Sequence, residues 1–434
     1  MESEGRRAPC KISGPTAVSS MTRPLRTLLA GIAATAACGE SGNIPRAVVR
    51  DSAGITIVDN SAFRSVDLDA WTLSPAPTLK LGSFDGLEVA EQFNSIVGAT
   101  RLGDGSIVIA DGGSRELRFF DRDGTHTHTV GGSGEGPGEL GRLFSLDRIH
   151  GDTLVANDWP VGNAAWFTVD GAFVFNSMLG PYWPGLTGHF LPDGSLLADT
   201  YGRRSYGNEI ENWAVNGPED YFRPDGWMVR ALRDSTIDTL RSVVGEEWFR
   251  RGVWRQDLWI QALPFAHNTR VAWNADRIFV GETERREIEA VDYEGNVTML
   301  IRWDSDPVPL TADDRDEFES FSLNRARQNR QAHVRRWLDV ITYPEVKPAF
   351  KELTTDLMGR LYIRNWEAAG SATVDWRVFG TDGRLLARLT VPTDIEILEI
   401  GDDYVIALWK DDLDVEFVRV YGVDKDGRDA ARTT

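Results

Sequence analysis

Short apolar stretches separated by Gly/Asp turns recur along the chain from about residue 95. The clearest copy has strand-like stretches at 96–102, 106–111 and 116–121, then an Asp-Gly turn and a further strand that ends at Val130. Asp-Gly turns between runs of β-branched and aromatic residues are a strong hairpin signal. This copy therefore predicts a four-stranded antiparallel sheet, whose strands we call A to D.

The same pattern is repeated five more times. The further copies cover about 144–179, 186–245, 268–304, 349–392 and 396–424. Four-stranded units that recur every 40 to 50 residues or so are typical of β-propeller blades. The last copy has only three strands, and segment 76–82, which resembles 127–132, is expected to supply the fourth. We therefore predict an all-β fold, a six-bladed β-propeller at 76–425 closed by an N-terminal strand, with loop and helix insertions on one face.

Three long insertions interrupt the repeat, at 201–225, 245–266 and 305–347. Each follows a B or a D strand, whereas the A–B and C–D turns stay short, so all three are expected at one mouth of the ring. Loops on a rigid scaffold commonly carry function, which favours this mouth as the binding face. The alternative is neutral insertion where extra length is tolerated.

The last insertion contains a helical pattern at 311–341. Thr311 is the predicted N-cap, with Asp314 three residues later and an acidic first turn. The second half is basic, with arginines at 325, 327, 330, 335 and 336. The helix is interpreted either as packing its aromatic residues on the rim or as a lid with an arginine face that recognises anions.

Composition excludes some classes of protein. The 434 residues are 41% hydrophobic and 26% charged, as in a globular protein rather than a disordered one. Forty-seven basic and 66 acidic residues give a net charge of −19, which disfavours nucleic acid as a partner. The only cysteines are Cys10 and Cys38, so no disulfide or cysteine-based zinc site is expected after residue 38.

The N-terminal region has the pattern of an export signal. Residues 1–20 look like a mis-assigned start, and 21–38 has two arginines followed by an apolar run too short to span a bilayer. Its end, Thr35-Ala36-Ala37-Cys38, resembles a bacterial lipoprotein box, which implies lipidation of Cys38 and, with Gly39 following, the outer membrane. An ordinary cleaved signal peptide is the alternative. Residues 39–75 are then a linker and lead-in strand, and 426–434 a tail.

Three segments carry a more specific resemblance. Residues 50–59, 111–121 and 131–140 follow one another as in the six-bladed β-propeller lipoproteins of diderm bacteria, and the turn pattern is similar to NHL repeats. The resemblance covers roughly residues 48–425. It implies the fold and export to the cell envelope, and it implies no particular reaction.

The ends of the B strands form a candidate ring at the loop-rich mouth. Six residues after each A–B turn stand Asp111, Asp158, Thr200, Glu282, Asn365 and Trp409. Carboxylate and amide oxygens suit Ca²⁺, and six-bladed lactonases use a comparable site, which implies a calcium-dependent hydrolase or lyase as the alternative function. The structural alternative is that each aspartate caps its own B–C turn.

The preferred function is a binding module without catalysis and without a cofactor. His267 is the histidine nearest the predicted mouth, and aromatic residues that include Trp183, Trp254 and Trp259 crowd the inserted loops. Aromatic residues with interspersed arginine are typical of recognition surfaces, and the alternative is that they pack the inserted loops onto the ring. The glycine-rich segment 131–139 is interpreted as a connector between blades, because its glutamates would repel a phosphate. We expect a monomer, anchored in the membrane by lipid, that binds a protein, a peptide or a glycan; a purely structural envelope protein is the third alternative.

Overall fold

The computed structural model describes residues 47–63, 68–83, 89–149, 153–158, 163–178, 188–199, 221–223, 225–232, 236–251 and 259–425. Residues Ile44–Thr434 form one compact unit. Of the candidates from the sequence, Cys38, Trp183, Thr200 and Trp254 lie outside the described residues. Within the described part, no helix is both long and apolar enough to cross a membrane.

The described chain is mainly β-strand, and it begins with four N-terminal strands. These are β1 (Val48–Ser52), β2 (Ile55–Asp59), β3 (Asp69–Leu73) and β4 (Leu79–Leu81).

The described strands include six sets of four antiparallel strands, which we call modules 1 to 6; the last set includes β4. Module 1 is β5 (Ile96–Arg101), β6 (Ile107–Asp111), β7 (Glu116–Phe120) and β8 (His126–Gly131). Module 2 is β9 (Leu143–Ile149), β10 (Thr153–Asp158), β11 (Asn163–Thr168) and β12 (Phe173–Met178). Module 3 is β13 (Gly188–Phe190), β14 (Leu196–Asp199), β16 (Asp225–Ala231) and β17 (Ile237–Val244), with β15 (Tyr221–Phe222) before β16.

The second half of the chain continues in the same way. After β18 (Trp248–Arg251) and β19 (Trp259–Ala262), module 4 is β20 (Thr269–Trp273), β21 (Ile278–Glu282), β22 (Glu287–Val291) and β23 (Val297–Arg302). Module 5 is β24 (Glu352–Thr355), β25 (Leu361–Arg364), β26 (Thr373–Phe379) and β27 (Leu385–Pro392). Module 6 is β28 (Ile395–Ile400), β29 (Tyr404–Lys410), β30 (Glu416–Asp424) and, from the N-terminal region, β4.

The turns explain why these segments form hairpins. In module 1, Gly105 in the A–B turn and Gly124 in the C–D turn have φ angles of 92° and 88°, which glycine adopts without steric cost. The Asp104 carboxylate accepts hydrogen bonds from the backbone N–H and the hydroxyl of Ser106 and so fixes the A–B turn.

The hydrophobic core lies between the modules. Leu117 of module 1 and Leu154 and Phe167 of module 2, for example, belong to one buried cluster. Equivalent clusters join modules 2 and 3, 3 and 4, 4 and 5, 5 and 6, and 6 and 1. The sheets therefore pack in a closed cycle, which is a propeller-like, all-β arrangement.

The N-terminal strands cover the outer edges of three modules. Strand β4 pairs with β30, with Leu81 opposite Val418, and lies inside the predicted closing segment 76–82. The repeat pattern did not predict that β2 pairs in parallel with β23 or that β3 pairs in parallel with β27. These pairings satisfy backbone groups that an open sheet edge would leave unpaired.

The insertions contain more secondary structure than the sequence indicated. Strands β15, β18 and β19 form a small three-stranded sheet. The segment predicted as one helix at 311–341 holds two, α1 (Ala312–Arg325) and α2 (Gln331–Leu338), separated by a short 3-10 turn. Helix α1 ends because Ala326 adopts an extended conformation. Its N-cap is Thr311, and Thr311 and Asp314 form a reciprocal capping box.

Candidate functional site

A cavity of about 730 Å³ lies where the A strands of all six modules meet. Its polar and aromatic lining includes Thr100, Asp147, Arg148, His189, Trp273, Asn274, Asp276, Thr355, Asp356 and Glu399. Roughly 300 to 1,000 Å³ is the usual size of a small-molecule site. The cavity therefore has the volume and the mixed lining of a ligand-binding site.

The described part of the cavity wall lies on the side of the short A–B turns. Its wall includes the A–B turn residues 274–276 of module 4 and 356–359 of module 5. Strand B runs from the A–B turn to the B–C loop, so the ends of the B strands lie at the opposite mouth. None of the described candidates predicted from the sequence is among the described residues that line this cavity.

An aspartate–histidine pair joins modules 2 and 3 at the wall of the cavity. His189 Nδ1 lies 3.0 Å from Asp147 Oδ1, while Asp147 Oδ2 accepts hydrogen bonds from the Phe190 N–H at 2.8 Å and from Asn157 Nδ2 at 2.6 Å. The His189 ring also packs on the indole of Trp273, with 4.7 Å between the ring centroids. The carboxylate thus fixes the orientation of an imidazole beside an aromatic surface.

Glu399 connects modules 6 and 1 in the same wall. Its carboxylate accepts hydrogen bonds from the Thr100 hydroxyl at 2.5 Å, the Arg101 N–H at 2.9 Å and the Tyr404 hydroxyl at 2.8 Å. Burial, together with the negative charge of Glu399, raises the pKa of Tyr404, so the phenol stays protonated and donates. Glu399 is therefore held in one position by three donors.

Arg148 brings a positive charge to this mostly acidic wall. One guanidinium nitrogen, Nη1, donates to the Arg101 carbonyl at 2.6 Å. A guanidinium has five N–H donors in a planar fork, which suits a carboxylate or another polar acceptor. We therefore identify Arg148, His189 and Trp273 as the side chains that give the cavity its chemical character.

Sequence reasoning missed these residues because it examined the ends of the B strands. A signal was nevertheless present, since Asp147 and Arg148 are adjacent charged residues in β9, and β28 carries Glu399 as well as Glu396 among apolar residues. Charge in the innermost strand of a repeat requires either a partner or water, so it marks the wall of a channel.

Asp111 has the turn-capping contacts of the structural alternative. Only 1% of the residue is exposed, and its carboxylate accepts a hydrogen bond from the Gly113 N–H at 3.0 Å. It also forms a buried ion pair with Arg118, with 3.1 Å between Arg118 Nη2 and Asp111 Oδ2. The carboxylate oxygens are thus engaged inside module 1.

Asp158 and Glu282 also have internal partners. The Asp158 carboxylate accepts hydrogen bonds from the backbone N–H groups of Gly141 and Arg142, and so fixes the connection between modules 1 and 2. Glu282 pairs with Arg285 at 3.3 Å.

The other described candidates lie in separate surroundings. Asn365 Oδ1 accepts a hydrogen bond from the Arg377 guanidinium, and Trp409 Nε1 donates to Asp394 at 3.0 Å. The His267 backbone N–H donates to Glu247, and its buried Nδ1 has no hydrogen-bond partner among the described residues. For Trp259 the structure describes only the backbone, which pairs with Arg251.

These contacts do not favour a calcium ion shared by the B-strand ends. The Asp111, Asp158 and Asn365 oxygens are engaged by internal N–H donors, and Asp111 and Glu282 also pair with arginine, so as placed they do not fit a common cation site. Across the described ranges, no group of three or more histidine, cysteine, aspartate or glutamate residues is arranged to hold a metal. Calcium binding stays a hypothesis from the sequence.

Changing Asp111 distinguishes the two interpretations. We expect Asp111→Asn to lower the free energy of unfolding by about 2 kcal/mol, because the buried Arg118 guanidinium would lose one of its two carboxylate partners and keep only Glu116. The loss should be equal in calcium and in EDTA when thermal unfolding is measured. The control is Asp121→Asn, which weakens a more exposed turn cap and should cost about 1 kcal/mol. A calcium-dependent rise in melting temperature that Asp111→Asn abolishes would support the metal site instead.

Comparisons with known proteins add a likeness in overall structure. No protein-family model and no curated protein matches the sequence. Among solved structures, a protein of inferred export from Bacteroides fragilis is 14% identical, with 85% of this chain and 99% of that chain covered and a TM-score of 0.45. A calcium-binding protein, regucalcin, from Agrobacterium tumefaciens is 12% identical, covering 82% and 96%, with a TM-score of 0.38. A member of the DUF4221 family from Bacteroides vulgatus is 9% identical, covering 82% and 99%, with a TM-score of 0.46.

Proposed function

We propose that this chain is a six-bladed β-propeller of the bacterial envelope that binds a small polar ligand in its central cavity. In this proposal modules 1 to 6 are the six blades, and β4 closes the ring by completing the last one. The closed cycle of core clusters and the pairing of β4 with β30 support the ring. The lipoprotein box that ends at Cys38 supports export and a lipid anchor, with the outer membrane as the location.

The cavity is the observation that carries the binding function. Every module contributes its innermost strand to one space of about 730 Å³. The wall offers an aromatic surface at Trp273, a cation at Arg148 and the Asp147–His189 pair. A short peptide or a glycan presents the complementary features, namely polar groups that hydrogen-bond and an apolar face that stacks on an indole.

The loop-rich mouth is less well suited to that role. The candidates described there use their polar groups for turn caps and internal pairs, as Asp111 and Asp158 show. We therefore assign ligand binding to the mouth that carries the A–B turns. Catalysis is not part of the proposal, because no described contact specifically favours a reaction.

Calorimetry on the chain from residue 39 onward, with envelope glycans and short peptides as candidate ligands, tests this function. We expect Trp273→Leu to weaken binding of any ligand found by about fivefold or more, since aromatic contacts contribute about 1 kcal/mol beyond the buried area. Arg148→Gln should weaken the binding of anionic ligands more than that of neutral ones. The matched control is Trp227→Leu, which changes a tryptophan that is 51% exposed and does not line the cavity.

Melting temperatures of the variants separate lost binding from lost folding. If a ligand binds with equal affinity to the wild type, Trp273→Leu and Arg148→Gln, the cavity is not its site. If no candidate ligand binds although the chain is folded, the proposed function is wrong for these two ligand classes.

A further inference from the structure

The helical insertion carries a cluster of exposed arginines on an acidic protein. Four arginines, at 325, 327, 330 and 335, are exposed within eleven residues, and we call this group the arginine surface. Within the part of the chain that the structure describes, none of the four forms an ion pair. The chain as a whole has a net charge of −19. Unpaired arginines concentrated on such a protein favour an anionic partner.

An apolar side chain accompanies the charges. Phe321 on α1 is 59% exposed, and the Arg325 guanidinium lies 5.8 Å from the centre of its ring. Arginine beside an exposed aromatic residue suits a surface of anionic headgroups above an apolar layer, because the ring enters the boundary between them while the cations stay at the phosphates.

The start of the folded body lies at the same mouth as this insertion. Val48 is opposite Asp59 in the β1–β2 pair, and Asp59 is opposite Arg302 at the end of β23. The chain leaves β23 directly into the insertion that holds α1 and α2. Cys38 precedes Val48 by ten residues, which span at most about 35 Å when fully extended.

We propose that the arginine surface binds the anionic phospholipid headgroups of the membrane in which the chain is anchored. This inference rests on the lipid anchor of the proposed function. The loop-rich mouth would then face the bilayer, and the mouth of the central cavity would face away from it. The acidic remainder of the body does not prevent this contact, since at 0.15 M salt charges more than about 8 Å from the surface are largely screened.

The packing of the insertion makes this surface a stable part of the body. Phe318 of α1 contacts Phe265 and Trp337, and Lys347 holds Asp314 in a buried ion pair. The arginines therefore project from a fixed support rather than from a free linker.

Vesicle sedimentation tests the proposal with the unlipidated chain from residue 39 onward, which contains the whole compact unit Ile44–Thr434. We expect binding to phosphatidylcholine vesicles that contain phosphatidylglycerol, and much weaker binding to phosphatidylcholine alone. The double variant Arg325→Gln/Arg335→Gln should bind about thirtyfold more weakly, since each basic residue near such a surface contributes about 1 kcal/mol.

The matched control is Arg122→Gln/Arg384→Gln, which removes the same charge from C–D turns at the other mouth. Binding should stay within about twofold of the wild type. An equal loss in both double variants, or equal binding to neutral vesicles, would overturn the proposal. A third result would also overturn the proposal: the wild type forms a concentration-dependent dimer and binds no vesicles, and Arg325→Gln/Arg335→Gln abolishes the dimer. The arginines would then pair with a second copy of the chain.

Failure of the anchor is visible separately. Cys38→Ser in the full chain should release the protein from the membrane fraction of cells if Cys38 is lipidated. If Cys38→Ser releases the protein but Arg325→Gln/Arg335→Gln binds vesicles as the wild type does, the lipid anchor is supported. Only the proposed role of the arginine surface is then contradicted.

Discussion

Leu81→Asp is expected to lower the free energy of unfolding by about 5 kcal/mol. Leu81 on β4 is 3% exposed and belongs to the core cluster that joins modules 6 and 1. The change removes apolar contacts and places a carboxylate without a partner in that cluster, and each effect costs several kcal/mol. Because domains are stable by only about 5 to 15 kcal/mol, this single change should leave the chain largely unfolded or prone to aggregate.

Lys80→Asp is the matched control, since it introduces the same residue into the same strand on the exposed face. It removes a cation–π contact of 4.1 Å with Phe417 and should cost about 1 kcal/mol. Urea unfolding followed by circular dichroism measures both variants. Equal losses at the two positions would mean that β4 does not hold the ring closed through its buried face.

Lys347→Met is expected to lower the free energy of unfolding by about 4 kcal/mol. The Lys347 side chain is 2% exposed and donates to Asp314 Oδ1 at 2.7 Å and to the Glu367 carbonyl at 2.8 Å. Without the lysine, the Asp314 carboxylate would stay buried with only the helix cap to satisfy it, and removing one member of a buried pair costs about 3 to 5 kcal/mol. The helical insertion should be the first region to lose protection from hydrogen exchange.

Acid should reduce the difference in the free energy of unfolding between the wild type and Lys347→Met. Burial raises the pKa of Asp314, but hydrogen bonds from Lys347 and Thr311 outweigh burial and hold the pKa below its ordinary value. The pair therefore stabilises the fold above the ordinary pKa of aspartate, and this stability is lost as the pH falls through the lowered pKa. The gap between the wild type and Lys347→Met should thus narrow below about pH 4.

Lys410→Met provides the comparison, because Lys410 pairs with Glu416 but is 50% exposed. An exposed pair contributes less than about 1 kcal/mol. If Lys347→Met lowers the free energy of unfolding no more than Lys410→Met does, the insertion is held by its aromatic contacts rather than by the ion pair.

Local patterns predicted the strands well because each strand is bounded by short-range chemistry. Asp104 and Gly105 specify a hairpin whatever the rest of the chain does, and Thr311 with Asp314 specifies a helix start. The length of that helix was overestimated, because an arginine-rich stretch with helical spacing continues past Ala326, where the backbone leaves the helix.

The site was not predictable in the same way. Asp147 and His189 are 42 residues apart and meet because neighbouring A strands pack side by side. The sequence directed attention to Asp111 and Asp158, whose acidity instead serves turn caps and a buried arginine. A carboxylate that caps a turn and one that lines a cavity have the same local pattern, and only the partners differ.

The sequence by itself determined the alternation of strands and turns, the repeated unit and the acidic character of the body, since these follow from neighbours a few residues apart. Only the tertiary structure decided which strand edges β2 and β3 cover, that the six A strands surround one cavity, and that the start of the body lies at the mouth where the chain leaves β23 into the helical insertion. The physical reason is that these features depend on contacts between residues tens to hundreds of positions apart, and such contacts leave no periodic trace in any one segment of the chain.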